Sequence, residues 1–287
     1  MRDRRAVFMV LIAAVMWGTT GTARALAPAS ASPLAVGAVR VAIGGAILVV
    51  LALARGSLTR ARWPLGPTLA VALGVAAYQL SFFEGVARAG VAVGTIVAIG
   101  SAPLFAGVLA LVTLGERPSR RWAVATTLAL AGVVLLSTPP AGVELVPLAL
   151  LLPLAAGASY ATYATGSKAL LAGRDNVAVA AVAFGGGAIV LLPVLAVADL
   201  SWLGRPSGMV AALELGVIAT ALAYVLFTHA LARIPVSWGA TLSLAEPLTA
   251  TLLGTVILGE TLASVQLGGA ALVAAGLLVL ATAPAAS

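Results

Sequence analysis

The 287-residue sequence has no cysteine, which excludes disulfides and thiol chemistry. It has one histidine, and none of its 9 acidic residues has an acidic neighbour three or four positions away. A membrane-embedded enzyme needs such a polar or metal-ligating cluster, so the sequence does not read as an enzyme and implies no cofactor. No glycine-rich phosphate loop is present, so energy would come from a gradient rather than from ATP. Alternating ten-residue strand patterns are absent, which argues against a β-barrel. Charged residues are only 9% of the chain, against about a quarter in a soluble domain. The chain therefore cannot cover a water-facing surface.

What is present is apolar: 62% of residues are hydrophobic and the mean hydropathy is +1.14. Charged or turn-rich breaks divide the chain into ten apolar stretches, each near the ~20 residues that cross hydrocarbon as a helix. In the first half the predicted helices are Ala6–Leu26, Pro33–Ala54, Pro64–Ala87, Val91–Thr113 and Trp122–Thr138. In the second half they are Leu145–Thr165, Val177–Ala198, Gly208–Leu231, Val236–Ile257 and Leu262–Thr282. The run after MRDRR continues to Leu26 without a cleavage signature and reads as a retained first helix. A net charge of +7 would suggest nucleic acid in a soluble protein. Here the basic residues lie in short loops, where they read as topology signals instead.

Counting on alternate sides, Arg2, Arg4, Arg5, Arg55, Arg60, Arg62, Arg117, Arg120, Arg121, Lys168, Arg174 and Arg233 share one side. Arg24, Arg88 and Arg205 lie on the other, and Arg40 lies within the second helix. This asymmetry predicts cytoplasmic termini.

The chain also repeats itself. At an offset of 144, Pro103–Glu116 and Pro247–Glu260 share 8 of 14 residues, where composition alone would give about two. Each copy holds a proline in an apolar segment and ends in LGE, but only the second has an acid, Glu246, before its proline. The predicted organisation is a first repeat over 1–140 and a second over 141–287. Five helices per repeat is an odd number, so the second enters the membrane inverted. Inverted repeats are the architecture of alternating-access transporters, with substrate held near mid-membrane.

The sequence resembles the EamA-type branch of the drug/metabolite transporter superfamily. The likeness is carried by MWGTTG in helix 1, VRVAIGG in helix 2, the two proline-to-GE segments and ALAGVVLL, and it extends over nearly the whole chain. In size and helix number it is similar to bacterial amino-acid and metabolite exporters, including the YddG-type. The resemblance implies a central cavity lined by helices 1, 3, 4, 6, 8 and 9. Helices 2 and 7 would lie outside, with 5 and 10 packed together. Unlike the small multidrug pumps of the superfamily, helix 1 has no acid. Unlike the phosphorylated-sugar carriers, only Arg40 lies well inside a span. The implied function is secondary-active or facilitative export of small metabolites, with amino acids foremost, across a bacterial-type inner membrane. Other small organic metabolites or drugs are the alternative, and a channel or embedded enzyme is disfavoured. The partners would be the substrate, the bilayer and, as candidate coupling ions, protons, with no nucleic acid.

Candidate site residues follow from depth. Glu246 lies about ten residues into helix 9, where an ionised carboxylate costs about 3 kcal/mol or more. It either binds a substrate ammonium or coupling proton, or braces the carbonyls freed by Pro247. Arg40 has three readings: snorkelling outward, pairing with Glu84, or meeting an anionic substrate group. The structural pair is the one expected of a peripheral helix 2. The few aromatics, 5% of residues, fall at helical spacing: Trp17 with Thr20, Tyr78 with Phe82 beside Gln79, and Tyr160 with Tyr163. A mid-membrane Trp or Tyr needs a polar partner, which a hydrated cavity supplies. The candidate binding set adds Tyr224, Ser243 and its repeat neighbour Ser101. Pro103 and Pro247 are candidate hinges. Trp63 and Trp202 read as interfacial anchors, and Glu214 and His229 as residues facing headgroups or loops.

Overall fold

The computed structural model describes residues 3–58, 62–137 and 147–282. Arg2, Arg60, Thr138, Leu145 and the expected repeat boundary at 140/141 lie outside the described residues. Among those residues there is no strand, as expected when each backbone group must find its partner within its own segment.

The first half contains α1 (Arg4–Leu26), α2 (Pro33–Ala54), α3 (Leu65–Ala89), α4 (Val91–Leu114) and α5 (Arg120–Leu136). A single 3-10 turn, Pro147–Leu150, leads into α6 (Leu151–Leu171). α7 (Asn176–Val190) stops at Leu191 and resumes as a short helix, Leu192–Val197. The break follows from Pro193, which has no amide hydrogen for the carbonyl of Ile189. Then come α8 (Pro206–Leu231), α9 (Val236–Leu258) and α10 (Ser264–Ala281). Eight of these helices are long and apolar enough to cross a membrane; α5 and α7, with 17 and 15 residues, are shorter.

Helix starts are set by short polar side chains. Ser32, Ser119 and Asp175 each accept an amide hydrogen from the first turn that follows, at 3.2, 3.2 and 2.9 Å. The two LGE sequences are helix stops. Gly115 and Gly259 are left-handed, at φ +70° and +72°, and the following Glu116 and Glu260 donate their amides to Ala110 and Gly254, each at 3.2 Å. The left-handed glycine ends each helix and turns the next amide back onto its last turn, which explains why the tripeptide recurs.

The two halves pack around each other with a repeated logic. α3 and α4 clasp α6, as α8 and α9 clasp α1, while α2 packs on α7 and α5 on α10. The α5–α10 contact shows the symmetry atom by atom. A Cβ on Gly132 would lie 2.6 Å from the Gly269 carbonyl oxygen and the Val273 nitrogen. A Cβ on Gly276 would lie 2.6 Å from the Ala125 carbonyl oxygen and 2.8 Å from the Ala129 nitrogen. Shifted by 144, each set of neighbours becomes the other. Only glycine permits this backbone approach, and such packing is the main source of helix affinity in lipid.

Several contacts tie together residues expected on the arginine-rich side. Arg233 pairs with Asp3 at 3.2 Å, and Arg174 donates to the Arg62 carbonyl at 2.9 Å while stacking over Trp63. Arg121 donates to the Val279 carbonyl at 2.7 Å. Trp202 departs from its expected place as an interfacial anchor. It is fully buried, wedged under Gly208, because the chain turns back on itself between α7 and α8.

Candidate functional site

α9 is not one helix but two segments, Val236–Leu242 and Ala245–Leu258. Pro247 cannot donate to the Ser243 carbonyl, so that oxygen takes the Glu246 amide instead, at 2.9 Å. The Leu244 amide likewise bonds Thr241 at 3.1 Å, giving one tight turn in mid-span. The Ser243 hydroxyl holds the turn by donating to Gly239 at 2.9 Å and meeting the Tyr160 hydroxyl at 3.1 Å. The twin segment behaves differently. α4 runs unbroken through Pro103, so of the two candidate hinge prolines only Pro247 accompanies a break in its helix.

The turn opens onto a cavity of about 50 Å³. Trp17 and Thr20 of α1, Tyr78 of α3, Tyr160 of α6 and Tyr224 of α8 line it, together with Ser243 and Glu246 of α9. Ala98, Ile99 and Ala102 of α4 complete the apolar side. Gln79 and Tyr163 border an adjoining smaller void behind Tyr78 and Tyr160. Two candidate residues fall outside both. Phe82 stacks on Tyr78 with ring centres 5.5 Å apart, and Ser101 is pressed against Gly157 of α6.

The aromatic wall is continuous. Trp17 lies 4.9 Å from Tyr224, and Tyr224 lies 4.1 Å from Phe184, between ring centres. The indole nitrogen of Trp17 and the hydroxyl of Thr20 are buried without a hydrogen-bond partner among the described residues. The Glu246 carboxylate likewise makes no hydrogen bond to a described residue that would brace the turn, and it faces the cavity.

Arg40 is where the sequence reading must be corrected. Glu84 pairs with Arg88, one turn along its own helix, at 2.7 Å, so the expected Arg40–Glu84 pair is not formed. Arg40 is instead buried, with 8% exposure, and joins the cavity wall. Helix 2 is thus not wholly outside. Its Nε donates to the Thr220 hydroxyl at 3.2 Å. Thr220 sits in a π-helical stretch of α8, Glu214–Leu222, and donates in turn to the Leu215 carbonyl five residues back at 2.8 Å. π-Turns of this kind often accompany functional sites. Neither the π stretch nor the role of Thr220 was foreseen; a threonine inside an otherwise apolar run was the available signal. No direct ion pair joins Arg40 and Glu246 among the described residues.

Of the remaining polar groups in α8, Glu214 accepts a hydrogen bond from the Thr19 hydroxyl of α1. His229 lies one turn before Arg233, which donates to its carbonyl at 3.2 Å.

Apolar helices of membrane-crossing length around a small polar and aromatic cavity define a multi-pass membrane protein. The model of the EamA-like transporter family matches residues 4–138 and again 147–282. The chain belongs to that family and is a membrane transporter. It is 46% identical over 275 residues to the uncharacterized transporter YwfM of Bacillus subtilis (strain 168), covering 96% of this chain and 93% of that one. A more distant relative, from Streptantibioticus cattleyicolor, is named "Probable terminal-alkyne amino-acid exporter" and is 27% identical, with 98% and 94% of the two chains covered. A solved crystal structure superposes with TM-score 0.82 at 24% identity over 96% of this chain and 95% of that one, a likeness of fold.

Proposed function

We propose that the protein is a secondary transporter that exports amino acids, or zwitterions of similar size, by alternating access. The observation that carries this reading is the pairing of a guanidinium and a carboxylate in the wall of one aromatic-lined cavity, at Arg40 and Glu246. An α-amino acid presents the complementary pair. Its ammonium would meet Glu246 and its carboxylate the terminal nitrogens of Arg40, whose Nε is already committed to Thr220. A buried guanidinium and a half-buried carboxylate, neither in an ion pair among the described residues, are costly in a low dielectric, and a bound zwitterion relieves both at once. Trp17 and Tyr78 would take the side chain, and the unpartnered Trp17 and Thr20 groups offer further polar contacts. The exporter named among the relatives supports the substrate class.

In this reading ten helices form two inverted five-helix halves, residues 1–140 and 141–287, with both termini in the cytoplasm of a bacterial-type cell. The basic loops support that orientation. A void of about 50 Å³ holds a few waters, so the helices must separate to admit substrate. Glu246 is the candidate carrier for a coupled proton. Counterflow in proteoliposomes, with a panel of radiolabelled amino acids, tests the proposal. Saturable uptake of one or more is expected, and no uptake across the panel would refute the substrate class.

A further inference from the structure

The repeat symmetry that governs the α5–α10 contact also fails between the two ends of the cavity. At the arginine-rich end, Lys168 in the last turn of α6 donates to the carbonyls of Leu231 and Ile234 at 2.7 and 3.0 Å. It also lies 3.9 Å from Glu116, the residue that follows the Gly115 cap of α4. The other Glu116 oxygen accepts the Val236 amide, at the start of α9, at 2.8 Å. One half-buried cation and one half-buried acid thus tie α4, α6 and the α8–α9 corner together.

Subtracting or adding 144 gives the counterparts: Lys168 becomes Arg24, Glu116 becomes Glu260, and Leu231 and Ile234 become Ala87 and Gly90. The chemistry is preserved: a cation in the last turn of α1, an acid after the Gly259 cap of α9, and carbonyls at the α3–α4 corner. The contacts are not. Arg24 donates to the Ala31 carbonyl at 3.3 Å. Glu260 is exposed and has no ion pair among the described residues.

The backbone tells the same story. Val236–Leu242 packs against α4, α5 and α6. The equivalent packing of α4 against Ala245–Leu258, α10 and α1 is not made to a comparable extent among the described residues. One end is shut and the other splayed, although both carry the same parts.

We propose that Arg24 and Glu260 form a second latch, which closes the end opposite the arginine-rich loops when the Lys168–Glu116 latch opens. The proposal rests on the alternating-access reading above. Two halves with matching local sequence have the same two arrangements available, and exchanging them converts one access state into the other.

The absence of native cysteine allows a clean test. Thr126 of α5 and Thr241 of α9 are buried and in contact at 2.8 Å at the shut end, outside both latches. A full-length Thr126→Cys/Thr241→Cys variant in liposomes reports closure of that end by its rate of oxidative cross-linking. Adding Glu260→Gln removes only the competing latch, while Arg24→Gln removes it together with the Ala31 hydrogen bond; each should raise that rate, by up to about five-fold for a half-exposed ion pair. The charge exchange Arg24→Glu/Glu260→Arg should return it toward the starting value. In a separate variant, Arg24→Cys/Glu260→Cys should cross-link and arrest transport until reduced. Unchanged Thr126→Cys/Thr241→Cys cross-linking with both glutamine variants would overturn the latch, as would failure of the Arg24→Cys/Glu260→Cys pair to link while transport proceeds. Cross-linking is read without transport, so a failed amino-acid panel would refute the substrate while leaving the latch result standing.

Discussion

Replacing Arg40 with methionine removes the guanidinium while keeping an unbranched chain of similar reach. The residue has 8% exposure and, among the described residues, one side-chain hydrogen bond, from Nε to Thr220 at 3.2 Å, so its terminal nitrogens are the part offered to a ligand. A hydrogen bond to a charged group contributes about 1.5–3 kcal/mol net. Losing the substrate carboxylate contact should therefore weaken apparent affinity by about 10- to 150-fold. Arg40→Lys should recover only part of this, because an ammonium cannot hold Thr220 and present a planar fork to a carboxylate at once. The assay is counterflow in proteoliposomes with an amino acid and its carboxamide as competitors. Wild type should favour the acid strongly, and Arg40→Met should nearly abolish the preference. A folded Arg40→Met protein with unchanged affinity and unchanged discrimination against the amide would refute carboxylate binding by Arg40.

Two further outcomes are expected. Glu246→Gln should flatten the pH dependence of transport if this acid carries the coupled proton. An unaltered pH profile in an active, folded variant would assign Glu246 to substrate binding alone. Gly132→Leu should destabilise the α5–α10 contact by about 1–3 kcal/mol or more, since even a Cβ would sit 2.6 Å from the Gly269 carbonyl oxygen. A thermal unfolding midpoint in detergent equal to wild type would show that the helices separate without cost.

The primary structure alone determined the membrane character, the duplication and which mid-span side chains are polar or aromatic. Each of these is local: hydropathy accumulates along a run, a repeat is read by alignment with itself, and depth follows from counting residues into a span. The LGE stops belong here too, because a left-handed cap depends on the glycine and its immediate neighbours. Tertiary structure decided the rest. Arg40 could have snorkelled or paired with Glu84; the close approach of α2 to the π stretch of α8 turned it onto Thr220 and into the cavity. Pro103 and Pro247 hold the same place in the repeat, yet only the second breaks its helix, where Ser243 finds Tyr160 across the cavity. Lys168 with Glu116, and Arg24 with Glu260, are equivalent by sequence and different in contact. That last difference depends on which end of the bundle is packed shut, a property of how two similar halves lie against each other rather than of either half alone.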